Sequence, residues 1–494
     1  MEHLALKKRS DIERQLLPET SSLRDAMERL NSGIGGVVLF VNDIGVMTGL
    51  ATDGDIRRAV LSGCSMEAKA HKFMQRDFTF GNIRDDRTKS LGKMSDAVRH
   101  LPLVDDNKRP VDILSWTDFW QIPLVQPSLA GNETRYVSDC LSSGWVSSQG
   151  GYIAKFENAV TSFLGGGTAL CTSSGTTALH LALLGLEIGP GDEVIVPNLT
   201  FGATANAVVH AGATPVFVDI NPETWTIGSE QISQALSDRT KAVIPVHLYG
   251  HPCDIDPILK VCDEAGLKII EDCAEAFGAE YKNKKVGTFS DVACFSFFAN
   301  KVITTGEGGM VWSQDKNTIA RMSMFRDHGM SKERRYWHNV TGYNYRMTNM
   351  QAAIGLAQME QIDRFLSHRR ALANQYHARL SNVSGIKLPS YKEWAKPVCW
   401  LYTIEIDTDH LGIDIDALSG RLREHGVETR RVFIPLSGQP AFNSYPSLNT
   451  PVAEQVAARG LSLPTSNEMN ISDVNIVCDA LCSILETLEA LTDR

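Results

Sequence analysis

The chain is 494 residues long, 43% apolar and 21% charged, with a formal net charge of −10. That length suggests roughly three domains, and the acidic balance argues against a general nucleic-acid or anionic-membrane binder. Residues 1–15 lack an apolar signal core, no stretch approaches the roughly 20 apolar residues that span a bilayer, and ten scattered cysteines without Cys-x-x-Cys spacing read as reduced thiols of a cytoplasmic protein.

The first 122 residues contain an internal repeat at an offset of 63. Val38-Leu39-Phe40-Val41-Asn42-Asp43 matches Leu101-Pro102-Leu103-Val104-Asp105-Asp106, and Gly49, Thr52 and Asp55 match Asp112, Ser115 and Asp118. Each copy reads as helix, strand, turn, strand, then a helix opening near the second aspartate. Residues 23–30 supply the first amphipathic helix and 90–99 the second.

The stretch from Gly49 to Arg58 resembles the signature of cystathionine-β-synthase (CBS) domains, and two copies resemble a CBS pair. The resemblance implies a nucleotide between the halves. Thr52 with Asp55, and Ser115 with Asp118, would bond its phosphate and ribose. Asp112 stands where glycine is usual, which narrows or closes the second site. The competing reading makes Thr52 and Ser115 helix caps only.

Ile122-Pro123-Leu124-Val125-Gln126-Pro127 reads as an extended connector. Domains are therefore expected at 1–122, 123–370 and 371–494. The loop from Gly144 to Gly151 is rich in small residues and reads as a pocket lining anchored by Trp145. Strands are expected at 168–171, 193–197, 214–219, 241–246, 267–271 and 292–298, alternating with helices at 176–186, 203–211 and 256–265. Such alternation builds a mostly parallel sheet whose ligands sit beyond the strands' carboxyl ends. A long helix is expected over 349–366.

Chemistry-bearing residues fall at those strand ends. Ser174-Gly175-Thr176 opens a helix after a strand, where free amides and the helix dipole favour phosphate. Phe201 can stack on a flat ring. Asp272 ends a buried strand and needs a cationic or hydrogen-bonding partner. The apolar run beginning at Phe295 ends at Lys301 before a Thr/Gly turn. A lysine among apolar neighbours loses hydration and turns nucleophilic, so Lys301 is a candidate Schiff-base lysine. Each feature alone has a bland reading: a cap, a core aromatic, a solvent-facing lysine. Together they spell pyridoxal 5′-phosphate (PLP), with Lys301 on its aldehyde and Asp272 on its ring nitrogen.

From Ile122 onward the chain resembles the DegT/DnrJ/StrS family of sugar-nucleotide aminotransferases. The matching residues include Gly144-Trp145-Val146-Ser147-Ser148, Ser174-Gly175-Thr176, Pro245-Val246-His247-Leu248-Tyr249-Gly250, Glu271-Asp272, Thr304-Thr305-Gly306-Glu307-Gly308-Gly309 and Asn344-Tyr345-Arg346-Met347. Phe297-Phe298-Ala299-Asn300-Lys301 with Glu275 is most similar to GDP-perosamine synthases. The resemblance implies an α/β fold of the PLP-dependent transferase type I (aspartate aminotransferase-like), behind an N-terminal α+β CBS pair. It places Glu275 near the cofactor's ring edge, and Ser174, Gly175, Thr176 and Ser296 on its phosphate. Asn344 would reach the cofactor phosphate of a neighbouring subunit in a homodimer or higher oligomer. Trp400, Tyr402, Arg430 and Arg431 are candidate contacts to a nucleotide-sugar diphosphate. Surface salt bridges are the competing reading for the two arginines.

The expected activity moves an amino group from glutamate to a nucleotide-linked 4-keto-6-deoxy sugar, the GDP-mannose derivative first, for surface polysaccharide. Alternatives are a 3-keto TDP- or UDP-sugar aminotransferase, a PLP-dependent sugar dehydratase, and a nucleotide-sensing regulatory protein. No metal is expected.

Overall fold

The strand pairs of the first unit repeat at the spacing the sequence shows. In the computed structural model, which describes residues 12–32, 36–85, 89–90, 93–94, 98–115 and 122–492, the chain divides into units Met1–Gln121 and Ile122–Arg494. The first unit opens with β1 (Leu16–Pro18), α1 (Leu23–Ser32), β2 (Val37–Val41), β3 (Met47–Thr52) and α2 (Asp53–Leu61). It continues with β4 (Gly81–Asn82), β5 (His100–Val104) and β6 (Pro110–Ser115). β2 pairs antiparallel with β3 from Val37↔Thr52, and β5 with β6 from His100↔Ser115. Both ladders shift register at the equivalent place, Phe40/Val41 and Leu103/Val104. A parallel strand absent from the sequence reading flanks each pair, β1 on β2 and β4 on β5.

Alternation along β2 serves two cores, because successive strand residues face opposite sides. Val38 and Phe40 pack with Leu23, Ala26 and Ile56 of the helices. Val37 and Leu39 pack with Val104 and Ile113 of the second copy. Of the helix expected over 90–99, residues 91–92 and 95–97 lie outside the described residues, as does Asp118, and the chain at 98–99 is not helical.

The second unit is built on a seven-stranded sheet. Its strands are β7 (Thr168–Thr172), β8 (Glu193–Pro197), β9 (Thr214–Val218), β10 (Thr240–Val243), β11 (Lys268–Asp272), β12 (Val292–Ser296) and β13 (Gly309–Ser313). The order is β7-β13-β12-β11-β10-β8-β9, and β13 alone runs antiparallel to its neighbours. β8, buried at every position, is apolar without alternation from Val194 to Pro197, as sheets covered on both faces require.

Three differences from the sequence reading have physical causes. The strand read over 292–298 ends at Ser296, so Lys301 lies in the turn to β13, with its N–H donating to Phe298 O at 2.9 Å. The helix read over 349–366 is two helices, Asn349–Met359 and Ile362–Leu380. They break where Glu360 accepts from Asn132 and Tyr136 while Gln358 and Gln361 bond Glu133. Ile122 belongs to the second unit, because its N–H donates to Gly426 O and its carbonyl accepts from Glu428 N.

The proposed break at 370/371 falls inside the helix Ile362–Leu380. Its first part, Ile362, Phe365 and Leu366, packs in the core of the large sheet. Its later part, Leu372, Tyr376 and Leu380, packs in the core of a smaller antiparallel sheet that contains Tyr402–Ile406, Arg430–Arg431 and Gly460–Leu463. Leu372 is fully buried there. Leu372→Ala is expected to lower unfolding stability by about 2–5 kcal/mol, read from denaturant melts.

Candidate active site

Motifs from several strand ends converge on Lys301. Its side chain is only 13% exposed, and Nζ lies 3.9 Å from Glu275 Oε1. Glu275 follows β11, is itself buried, and accepts the Tyr249 N–H on Oε2 at 2.8 Å. Burial pushes the Glu275 carboxyl up to about 7, against the pull of the Lys301 charge. Burial likewise lowers the Lys301 ammonium, against the attraction of Glu275 and Asp272.

Asp272 ends β11 and is 4% exposed. Thr204 Oγ1 donates to Oδ2 at 2.8 Å and Ala274 N to Oδ1 at 3.1 Å. Asp272 forms no ion pair among the described residues, and burial raises its carboxyl above the usual range. A buried carboxylate supported this lightly suits a cationic ring nitrogen.

The phosphate candidates meet. Ser174 caps the helix Gly175–Gly185 by accepting the Thr177 N–H at 3.1 Å. Ser296 ends β12 directly against Gly175, where a Cβ would come within 2.8 Å of the Ser296 Cβ. Only glycine leaves this cradle open, and Thr176 lies in the same first turn, where helix amides have no internal partner. Phe201 begins the turn before the helix Ala203–His210 and is 60% exposed. Behind it an aromatic chain runs through Phe433, Tyr249 and Trp400. It ends with Lys301 Nζ at 3.8 Å from the Trp400 ring centroid. The donor set therefore fits PLP: an amine, a ring-nitrogen partner, a stacking face and a phosphate cradle.

Other expectations separate from this centre. Asn344 is exposed and bridges to Asp327, with Arg346 Nε donating to its Oδ1. Tyr402 is buried against Tyr376 inside the small-sheet core and offers substrate nothing. Arg431 pairs with Asp416 at the surface, whereas the charge of Arg430 acts on Lys301 and Glu275. Trp145 is exposed, and the loop is anchored instead by Asn349, which donates to the carbonyls of Trp145 and Ser147 and accepts the Tyr152 N–H. In the first unit Thr52 and Asp55 bond each other in a capping box. The second Asp55 oxygen takes Arg58 and Gln75. Ser115 Oγ lies 3.1 Å from His100 Nδ1.

The sequence reading missed Thr204, Tyr249, Arg369 and Asn467. Thr204 carried a signal, lying one helical turn after Phe201. His247, Glu271 and Cys273 also approach one another. His247 Nδ1 accepts the Cys253 N–H, so its Nε2–H points at Glu271. Glu271 takes three further donors, from Gly287, Phe289 and Ser290. Hydrogen bonds thus satisfy the cluster as a strand-end pin.

The family model described as the DegT/DnrJ/EryC1/StrS aminotransferase family matches residues 127–482. The chain belongs to that family. A CBS-domain model matches residues 15–62, the first of the two copies. The aminotransferase is 45% identical to the GDP-perosamine synthase of Escherichia coli O157:H7, over 73% of this chain and 97% of that protein. It is 43% identical to the GDP-perosamine synthase of Caulobacter vibrioides, over 75% of this chain and 100% of that protein. The aminotransferase TlmJ of Streptoalloteichus hindustanus superposes with TM-score 0.70 at 31% identity, covering 74% of this chain and all of the other. The aminotransferase therefore has the expected α/β fold with a CBS domain at its N-terminus, and no helix among the described residues is long and apolar enough to cross a membrane.

The Glu275 carboxyl lies above its unfolded value, so folding favours its protonated form. Its contribution is present at low pH and lost as pH rises through about 7. In cofactor-free protein, Glu275→Gln is expected to remove the loss of stability that wild type shows as pH rises from 4.5 to about 7, measured by melting across that range.

Proposed function

We propose that this chain is a cytoplasmic, PLP-dependent aminotransferase that moves the amino group of glutamate to a GDP-linked 4-keto-6-deoxy sugar, with GDP-perosamine as product. The observation that carries the reaction class is the buried Lys301–Glu275 pair beside Asp272, a buried carboxylate without an ion pair among the described residues. The sugar assignment rests on the two GDP-perosamine synthases matched over nearly their whole length.

When bound, the cofactor supplies an aldehyde and an electron-withdrawing ring. Lys301 Nζ is the amine that holds it. Once free, the same nitrogen takes and returns protons within reach of Glu275 Oε1, and desolvation lowers the cost of giving its proton up, against the attraction of Glu275 and Asp272. Asp272 would hold a proton on the ring nitrogen by presenting negative charge where water is excluded. Ser174, Gly175, Thr176 and Ser296 bind phosphate, and Phe201 covers a ring face. Asn344, exposed on its loop, would complete the phosphate site of a second copy in a homodimer. Arg430 is the better placed of the two arginines for an anionic substrate group.

Lys301→Ala is expected to abolish the visible absorbance of bound cofactor and to lower turnover by 10²–10⁴-fold or more, as about this much rests on a positioned proton carrier. Full turnover in that variant would end the assignment. A panel of nucleotide keto-sugars read by mass spectrometry should show ketone oxygen replaced by an amine with the GDP substrate; loss of water instead would identify a dehydratase.

We also propose a regulatory nucleotide at the first unit. A groove lined by Arg24, Asn31, Asp53, Ile56 and Met66 lies beside α2, next to the Thr52–Asp55 cap. Binding through Asp55 would have to displace Gln75 or Arg58. Calorimetry on the full chain should show nucleotide binding that Asp55→Ala weakens about tenfold or more, the scale of a lost charge-assisted bond.

A further inference from the structure

The carbonyls on either side of Lys301 are both held. Asn300 O accepts from Trp400 Nε1 at 2.7 Å. Val302 O accepts from Asn467 Nδ2 at 3.0 Å. These two donors come from distant parts of the chain, yet one side chain holds both. Arg369 Nη1 donates to Trp400 O at 2.9 Å, and Arg369 Nε donates to Asn467 Oδ1 at 2.8 Å. Nη1 also reaches Thr465 O at 3.2 Å. The amide orientation of Asn467 follows from this network, since its oxygen must face a guanidinium and its nitrogen a carbonyl.

Arg369 lies on the buried stripe of the helix Ile362–Leu380, among Phe365, Leu366, Leu372 and Tyr376. It is 1% exposed and has no ion pair among the described residues. An apolar side chain would pack on such a stripe without the desolvation cost of a guanidinium. The charge instead satisfies neutral acceptors that converge on the Lys301 turn.

We propose that Arg369 is a positioning residue for Lys301: through Trp400 and Asn467 it fixes the backbone on both sides of the lysine and so the direction in which the amine reaches. The Asn300–Lys301 peptide is tied at both ends, by Trp400 on its carbonyl and by Phe298 O on its N–H. A planar peptide held at two points leaves the lysine little freedom about its backbone. The Trp400 ring, whose backbone carbonyl the same arginine holds, lies 3.8 Å from Nζ, centroid to nitrogen. The inference rests on Lys301 being the lysine that holds the cofactor.

A purely structural cement between helix and turn is the competing role, and Asn467→Asp separates the two. The aspartate keeps an acceptor for Arg369 and adds a counter-charge, so cement is preserved. The donor to Val302 O is lost. Asn467→Ala removes the donor without adding charge beside Lys301, Glu275, Asp272 and Arg430.

The full chain, stripped of cofactor, is given pyridoxal 5′-phosphate, quenched with borohydride at intervals, and the labelled peptide quantified by mass spectrometry. Asn467→Asp is expected to melt within about 2 °C of wild type or above it, yet to be labelled on Lys301 about tenfold or more slowly. Asn467→Ala should show the same slowing, which excludes the new charge as its cause. Labelling of both variants at the wild-type rate would overturn the proposal, as would slowing confined to the aspartate variant. Wild-type protein labelled elsewhere than Lys301 would instead overturn the underlying assignment of the cofactor lysine.

Discussion

An amine and two carboxylates held together out of water are the constraint on which the second unit depends. Burial alone disfavours every charge in that group. Lys301, Glu275 and Asp272 can share one dry end of the sheet only because backbone amides, a threonine hydroxyl and one another's charges offset the loss of hydration. That balance raises the acid and lowers the amine, so burial narrows the gap between them.

The sheet supplies only one side of this arrangement. β11 and β12 bring Asp272, Glu275 and Ser296 to one end, and the turn to β13 carries the lysine. The opposite side comes from the small-sheet region, which contributes the Trp400 ring and the Asn467 amide. Tyr249 joins the two. Its backbone is left-handed, at φ 51°. From that position its N–H serves Glu275 while its ring stacks between Trp400 and Phe433. A bulky residue in that conformation is costly, and here it serves both halves of the site at once.

How legible the chain is varies with the range of the physics involved. Strands such as Glu193–Pro197 could be read to the residue, because burial on both faces leaves an unbroken apolar run from Val194 to Pro197. The repeat was legible because copied strands keep their alternation, and their registers proved equivalent. The flanking strands Leu16–Pro18 and Gly81–Asn82 are too short to show a period. The residues read as phosphate, ring-nitrogen and lysine candidates stood out in the sequence because each sits where a strand gives way to a turn. Asn349, Arg369 and Asn467 were not, since their meaning lies in carbonyls far away in sequence. Tyr402 misled for the opposite reason: an aromatic near basic residues suggests a binding surface, while its alternation along the strand faces it into a core.

One helix has a mechanical consequence. Residues Ile362–Leu380 form a single rod whose first half is seated in one apolar cluster and whose second half is seated in another. Bending it would tear packing from both ends together. The rod thus couples the two lobes of the second unit, and a hinge placed within it would have to give up apolar packing at one end or the other.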